Sequence, residues 1–126
     1  MWDKEKAIAY LNKNAQPASV GHCAEYTRKA IEAGGVVLER RVSAKDYGQS
    51  LQSIGFLPIG RAASGYEQAD VVIIEGFIGH PHGHMAMFNG SLWVSDFKQQ
   101  DIYPGASYKK AQPGYTIYRY SIRTDV

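Results

Sequence analysis

The sequence predicts an α+β fold in which N-terminal helices pack on an antiparallel sheet of four to six strands. Apolar residues follow helical spacing in the first half of the chain, whereas alternating or β-branched segments dominate the second half. The chain has 126 residues, of which 44% are hydrophobic and 21% charged, so it can build one core but not two. We therefore expect residues 1–126 to form a single domain.

Three helices are predicted in the first half. The first follows Asp3, a suitable N-cap residue, and ends before Pro17. The second begins near Gly21 or His22 and ends at Gly34-Gly35, where glycine suits a left-handed cap. Cys23 is therefore expected in the first turn of a helix, on the side that faces the core.

The third predicted helix is shorter. Ser43 and Asp46 have the spacing of a capping pair, and the helix is expected to run through about Ile54 and to end at Gly55.

The segments that follow are predicted to be strands. In chain order they are DVVIIEGF, HMAMF, SLWVSDF and YTIYRYSI, and an Asn-Gly turn separates the second from the third. The segment YPGASYKKAQPGY is predicted to be one long surface loop.

Composition excludes several classes of protein. The 14 basic and 12 acidic side chains are scattered and give a formal charge of only +2, so nucleic acid is not an expected partner. A single cysteine excludes an internal disulfide. No segment approaches the roughly 20 apolar residues of a membrane span. The N-terminal residues lack the pattern of a cleaved signal, so we expect synthesis in the cytoplasm without one.

Cys23 is a candidate nucleophile because of its expected position. A thiol attacks as the thiolate, and the free N–H groups and positive dipole of a helix N-terminus favour that anion. The backbone N–H of Cys23 could also stabilise an oxyanion. The sequence leaves a second oxyanion donor open among Gln16, Ser19 and His22. It also leaves open that Cys23 is an inert core thiol.

His84 is the candidate acid–base, since it opens the predicted strand HMAMF. Its partner depends on the hairpin. A two-residue Asn89-Gly90 turn would place His84 opposite Ser95, whereas a three-residue loop would bring Asp96 onto its face. We favour Asp96, because a carboxylate fixes the tautomer and stabilises the imidazolium better than a hydroxyl does.

The cluster His80, His82 and His84 is an alternative metal site, since three histidines can bind zinc. Pro81 and the neighbouring glycines argue against a regular strand there, and the nearest carboxylates are distant in sequence. We expect no metal site and no cofactor.

GHCAEYTRKAIEAGG, followed about sixty residues later by GHMAMFNGSLWVSDF, resembles the papain-like cysteine amidohydrolases of the NlpC and CHAP kind. These enzymes cut peptide bonds in bacterial peptidoglycan. In that family the nucleophilic cysteine opens a helix, a histidine begins a following strand, and a polar residue of the next strand orients the imidazole. Cys23, His84 and Asp96 occupy those places. The resemblance covers roughly residues 19–122 and is most similar to the small amidase effectors of type VI secretion systems.

The resemblance implies hydrolysis of an amide bond in stem peptides or cross-links of peptidoglycan. His22, Tyr26 and Tyr103, together with Tyr108, are candidates for lining the substrate groove. It further implies export to a target cell's periplasm and an immunity protein as partner. A phage-type endolysin with the same chemistry is the nearest alternative. A protein-directed cysteine transferase or deamidase and a non-catalytic binding module are the others.

Overall fold

The computed structural model describes residues 2–60 and 65–121. It contains four helices, α1 Lys4–Asn14, α2 Cys23–Ala33, α3 Gly48–Ser53 and α4 Ala106–Ala111, and a 3₁₀ helix at Ala44–Asp46. The described strands are β1 Phe56–Gly60, β2 Val71–Ile74, β3 His84–Phe88, β4 Trp93–Val94 and β5 Tyr115–Tyr120. They form one antiparallel sheet in the order β1-β5-β2-β3-β4. The predicted α+β class, with N-terminal helices on an antiparallel sheet, is confirmed.

The helix termini follow the sequence signals. The carboxylate of Asp3 accepts hydrogen bonds from the N–H groups of Glu5 and Lys6 and so caps α1. Helix α2 begins at Cys23 and is followed by Gly34 and by Gly35, whose φ of +103° lies in the left-handed region. The nucleophile candidate therefore lies in the first turn of α2, as predicted.

The predicted third helix is different in the structure. The segment forms the 3₁₀ helix and then α3, and Ser43 makes no side-chain capping bond. Its hydroxyl instead contacts Nδ1 of His82. The expected capping pair is therefore wrong, because a tertiary partner takes the Ser43 hydroxyl.

Both faces of the sheet are covered. Val71, Ile73, Met85 and Met87 face the core that α1 and α2 cover, whereas the alternating residues Val72, Ile74 and Ala86 face a second cluster. Tyr108 of α4 belongs to that second cluster. The prediction of a long loop between residues 103 and 115 is wrong, because α4 folds there and covers this face.

No helix in the described ranges, 2–60 and 65–121, is both long and apolar enough to cross a membrane.

Candidate active site

Helix α2 fills an open edge of the sheet beside β3. The N–H and C=O of Phe88 form hydrogen bonds with Asp70 and Ala69, on the side of β3 that faces β2. Because these groups alternate in direction along a strand, the N–H and C=O of Met85 point to the other side of β3, where β4 lies. On that side β4 pairs with β3 only at Met87 and Phe88, so Met85 has no partner residue in β4. The N-terminal part of α2 lies here. The Thr27 hydroxyl lies 3.5 Å from the Met85 carbonyl oxygen, and the Met85 backbone makes a hydrogen bond to Cys23.

The Cys23 side chain is partly buried in this arrangement and packs against the core. Burial raises the pKa of Cys23 to about 11, although hydrogen bonds from the backbone of Met85, Ala24 and Cys23 itself lower it. The negative charge of Asp96 raises the pKa further. The helix N-terminus therefore does not by itself lower the pKa of Cys23 enough to produce a thiolate.

His84 is buried, with 6% of its surface exposed, and its ring is held by Gln99. Nε2 of His84 lies 2.7 Å from Oε1 of Gln99. The Gln99 amide nitrogen donates to the carbonyl oxygens of Asp101 at 2.9 Å and Ile102 at 3.2 Å, which turns Oε1 toward the ring. A neutral His84 therefore has its proton on Nε2 and a free lone pair on Nδ1.

The ionisation of His84 follows from the same surroundings. Burial lowers the pKa of His84, while the Gln99 hydrogen bond and the charge of Asp96 oppose this effect. The resting pair is thus a thiol and a neutral imidazole. Such a pair can exchange a proton when charge develops on a bound substrate.

Asp96 makes its described hydrogen bonds to groups other than the His84 ring. Its Oδ2 accepts hydrogen bonds from the N–H groups of Val20 at 2.8 Å and His22 at 3.1 Å and from the Ser19 hydroxyl at 3.1 Å. The Ser95 hydroxyl donates to Oδ1. Burial opposes ionisation of this carboxyl, but these four donors outweigh it and lower the pKa of Asp96.

Asp96 therefore anchors the segment that leads into α2 and so fixes the position of Cys23. The expectation that Asp96, or alternatively Ser95, holds the His84 ring by direct contact is not met. The hairpin loop explains why. Phe88 pairs with Trp93, so the loop is Asn89–Leu92, longer than either loop length considered, and the ladder ends at Val94.

Gln99 reaches His84 because the chain reverses after β4. Ser95 N–H donates to the Phe97 carbonyl, and Gln99 N–H donates to the Trp93 carbonyl at 2.8 Å. Trp93 lies opposite Phe88, which shares a face of β3 with His84. Sequence reasoning missed Gln99, since nothing in KQQD distinguishes it from the exposed Gln100.

The candidate active site lies in a cleft of about 620 Å³. Cys23, His84 and His22 line it, whereas Tyr26 and Tyr103 are not among the described residues that do. Tyr103 instead donates its hydroxyl to the Pro113 carbonyl at 2.7 Å. Sequence reasoning therefore placed one of these three substrate-binding candidates, His22, at the cleft.

Tyr108 and the four residues before it also line the cleft. The Tyr108 hydroxyl donates to the Gly83 carbonyl at 3.0 Å, and its ring centroid lies 5.8 Å from that of His84. Gly83 has a φ of +68°, and a Cβ there would lie 2.2 Å from the Ile74 carbonyl oxygen. Only glycine fits, so the loop before His84 is fixed from both sides.

The three histidines do not converge. The His82 ring contacts Ser43, the His84 ring contacts Gln99, and the His80 ring packs against Phe77 and Tyr108. Among the described residues, no group of three or more His, Cys, Asp and Glu side chains is arranged to hold a metal ion.

Comparisons with known proteins identify the family. No family model matches the sequence, and no curated protein matches it. Among solved structures, the type VI effector–immunity complex Tae3–Tai3 from Ralstonia pickettii matches with 50% identity and a TM-score of 0.89. This match covers 95% of this chain and 100% of that chain. The selenomethionine form of the complex matches with 51% identity over 90% of this chain and 98% of that chain, at a TM-score of 0.84.

A more distant structure, Ly7917, has 18% identity and a TM-score of 0.55, and the match covers 94% of this chain and 62% of that chain. This similarity concerns the fold alone. The two Tae3–Tai3 matches, in contrast, combine high identity with nearly complete coverage of both chains. The chain therefore belongs to the Tae3 family of type VI effectors.

Proposed function

We propose that the chain is a papain-like cysteine amidase that hydrolyses an amide bond in the stem peptides or cross-links of peptidoglycan. The observation that carries this proposal is that Cys23, in the first turn of α2, and His84, whose Nε2 is held by Gln99, line the same cleft. Membership of a type VI effector family supports an antibacterial role, with delivery into the periplasm of a target cell.

In the first half-reaction, the Cys23 thiol transfers its proton to Nδ1 of His84 while the sulfur attacks the amide carbonyl carbon. The Cys23 N–H, at the N-terminus of α2, donates to the oxyanion that forms. The imidazolium then gives its proton to the leaving nitrogen, and the C–N bond breaks. A free amine and a thioester on Cys23 result.

In the second half-reaction, neutral His84 takes a proton from water, and the oxygen of that water attacks the thioester. Collapse of the intermediate releases a carboxylic acid, and the proton returns to the Cys23 sulfur. Gln99 keeps the imidazole in the required tautomer throughout. The charge of Asp96 favours the imidazolium that forms within each half-reaction.

We also propose an immunity protein as the partner of this chain. The Ralstonia pickettii relative was crystallised as an effector–immunity complex. A periplasmic protein of this kind would protect the producing cell from its own effector.

Incubation of the purified full chain with muropeptides in ¹⁸O-labelled water tests the reaction. Mass spectrometry should show cleavage at one amide bond, with ¹⁸O in the new carboxyl group. Cys23→Ala should give no product. Transfer of the acyl group to an added amine, without ¹⁸O, would instead indicate a transferase. Unchanged muropeptides across all bond types would contradict the proposal.

A further inference from the structure

Two buried serines hold two side chains on one wall of the cleft. Nε of Arg41 donates to Oγ of Ser50 at 2.7 Å, and Ser50 has no exposed surface. The ring of His82 contacts Oγ of Ser43, which is 7% exposed. The His82 carbonyl also accepts a hydrogen bond from the Lys45 N–H at 3.0 Å. Arg41 and His82, called here the Arg41/His82 wall, both line the cleft that contains Cys23.

These contacts leave N–H donors available on both side chains. Arg41 uses Nη2 for Glu39 at 2.6 Å, and among the described residues nothing bonds to its Nη1. When the Ser43 hydroxyl donates to Nδ1 of His82, the neutral ring carries its proton on Nε2. Neither Arg41 nor His82 has to reorganise in order to donate to a ligand.

The charge of the cleft favours an anionic ligand. Three arginines line it, Arg28, Arg40 and Arg41, together with one carboxylate, Glu25. Glu32 pairs with Arg28 at 2.9 Å and Glu39 pairs with Arg41 at 2.6 Å. Arg40 is therefore the arginine of this set that has no carboxylate partner among the described contacts. Glu25 is already paired with Lys29 at 2.9 Å. A guanidinium fixed in orientation is suited to two parallel hydrogen bonds with a carboxylate.

We propose that the Arg41/His82 wall is a subsite for a free carboxylate of the peptide substrate. This inference rests on the proposed function, since the stem peptides of peptidoglycan contain free carboxylates beside their amide bonds. The subsite would select acidic stem peptides over those in which the same carboxylates are amidated. It would also set the position of the scissile amide relative to Cys23.

Isothermal titration of the full-length Cys23→Ala chain tests the subsite without turnover. The two probes are synthetic L-alanyl-γ-D-glutamyl-diaminopimelyl-D-alanine and the same peptide with its glutamyl, diaminopimelyl and C-terminal alanyl carboxyls all amidated. The acid peptide should bind about tenfold more tightly than the amide. Arg41→Gln in the Cys23→Ala background should remove this preference by weakening the acid peptide alone, and His82→Ala should reduce it.

Lys109→Gln is the matched control, because it removes one positive charge outside the cleft lining and should keep the preference. Arg41→Lys keeps the positive charge but loses the two parallel N–H donors of the guanidinium, so it should retain part of the preference for the acid peptide. It replaces Arg41→Gln if that variant fails to fold. Equal affinity for the two peptides, no binding of the acid peptide, or equal weakening of both in the Arg41 variants would overturn the subsite. Selective binding without cleavage by the native chain would keep the subsite and contradict the amidase.

Discussion

Nε2 of His84 lies 2.7 Å from Oε1 of Gln99, a residue fifteen positions further along the chain. Because the Gln99 amide nitrogen is committed to two backbone carbonyls, only its oxygen can face the ring. This contact leaves Nδ1 of His84 as the atom that can receive the Cys23 proton. The predictions below follow from that assignment and from the surroundings of Cys23 and Asp96.

Cys23→Ala and His84→Ala should each lower kcat on muropeptides by about a thousandfold or more, since each removes an atom of the proposed reaction. Both variants should fold, as judged by circular dichroism. Lys13→Ala is the control, because this exposed side chain lies outside the cleft lining. It should keep activity within a few-fold. A kcat near the wild-type value in Cys23→Ala would exclude the thiol mechanism.

Gln99→Ala should lower kcat by about 10- to 100-fold, less than complete loss of acid–base catalysis would cause. The ring would lose the acceptor that selects its tautomer, so ¹⁵N NMR should show mixed tautomers of His84. Gln100→Ala, a neighbouring exposed glutamine, should change neither quantity. Wild-type kcat with a single tautomer in Gln99→Ala would refute the role of Gln99.

Gln99→Glu should move the acid limb of the kcat/KM profile to higher pH. A carboxylate on Nε2 stabilises the imidazolium and raises the pKa of His84, so the neutral form appears only at higher pH. The variant should also melt at a lower temperature, because glutamate cannot donate to the Asp101 and Ile102 carbonyls. An acid limb at the wild-type pH would show that Gln99 does not set this ionisation.

Asp96→Asn should reduce the free energy of unfolding by about 2–3 kcal/mol at pH 7, since charge-assisted hydrogen bonds are lost. The pKa of Asp96 is lowered in the folded chain, so its contribution is complete above the unfolded pKa and disappears as pH falls through the folded pKa. Urea unfolding of both proteins should therefore show the difference shrinking below about pH 4.

Asp46→Asn removes an exposed carboxylate and is the control for that experiment. Its free energy of unfolding should be within about 0.5 kcal/mol of the wild-type value both at pH 7 and below about pH 4. A deficit of Asp96→Asn that stays constant from pH 7 to below pH 3 would argue that ionisation of Asp96 is not the cause.

The rate of alkylation of Cys23 by iodoacetamide should be low at neutral pH and should increase about tenfold for each unit of increase in pH. Burial raises the pKa of this thiol to about 11, so the thiolate is a small minority of the molecules at pH 7. Cys23 is the single cysteine, which makes the modified fraction directly readable by mass spectrometry. Fast alkylation that is independent of pH between 6 and 8 would indicate a preformed thiolate.

The sequence by itself determined the elements that position the reacting pair. The Asp3 cap, the glycines after Ala33 and the apolar spacing locate α1 and α2, and so place Cys23 in a first helical turn. The onset of an alternating segment after Gly83 places His84 at the start of β3. These are local signals, because capping and periodicity act over a few neighbouring residues.

Only the tertiary structure decided which polar groups support that pair. Alternation within a strand does not reveal where its pairing stops, and β4 stops at Val94 because Asp96 bonds to Val20 and His22 near the start of α2. The chain then reverses and carries Gln99, instead of Asp96, to the His84 ring. Burial of the thiol, which sets its protonation, likewise arises from distant segments meeting, and no local pattern encodes it.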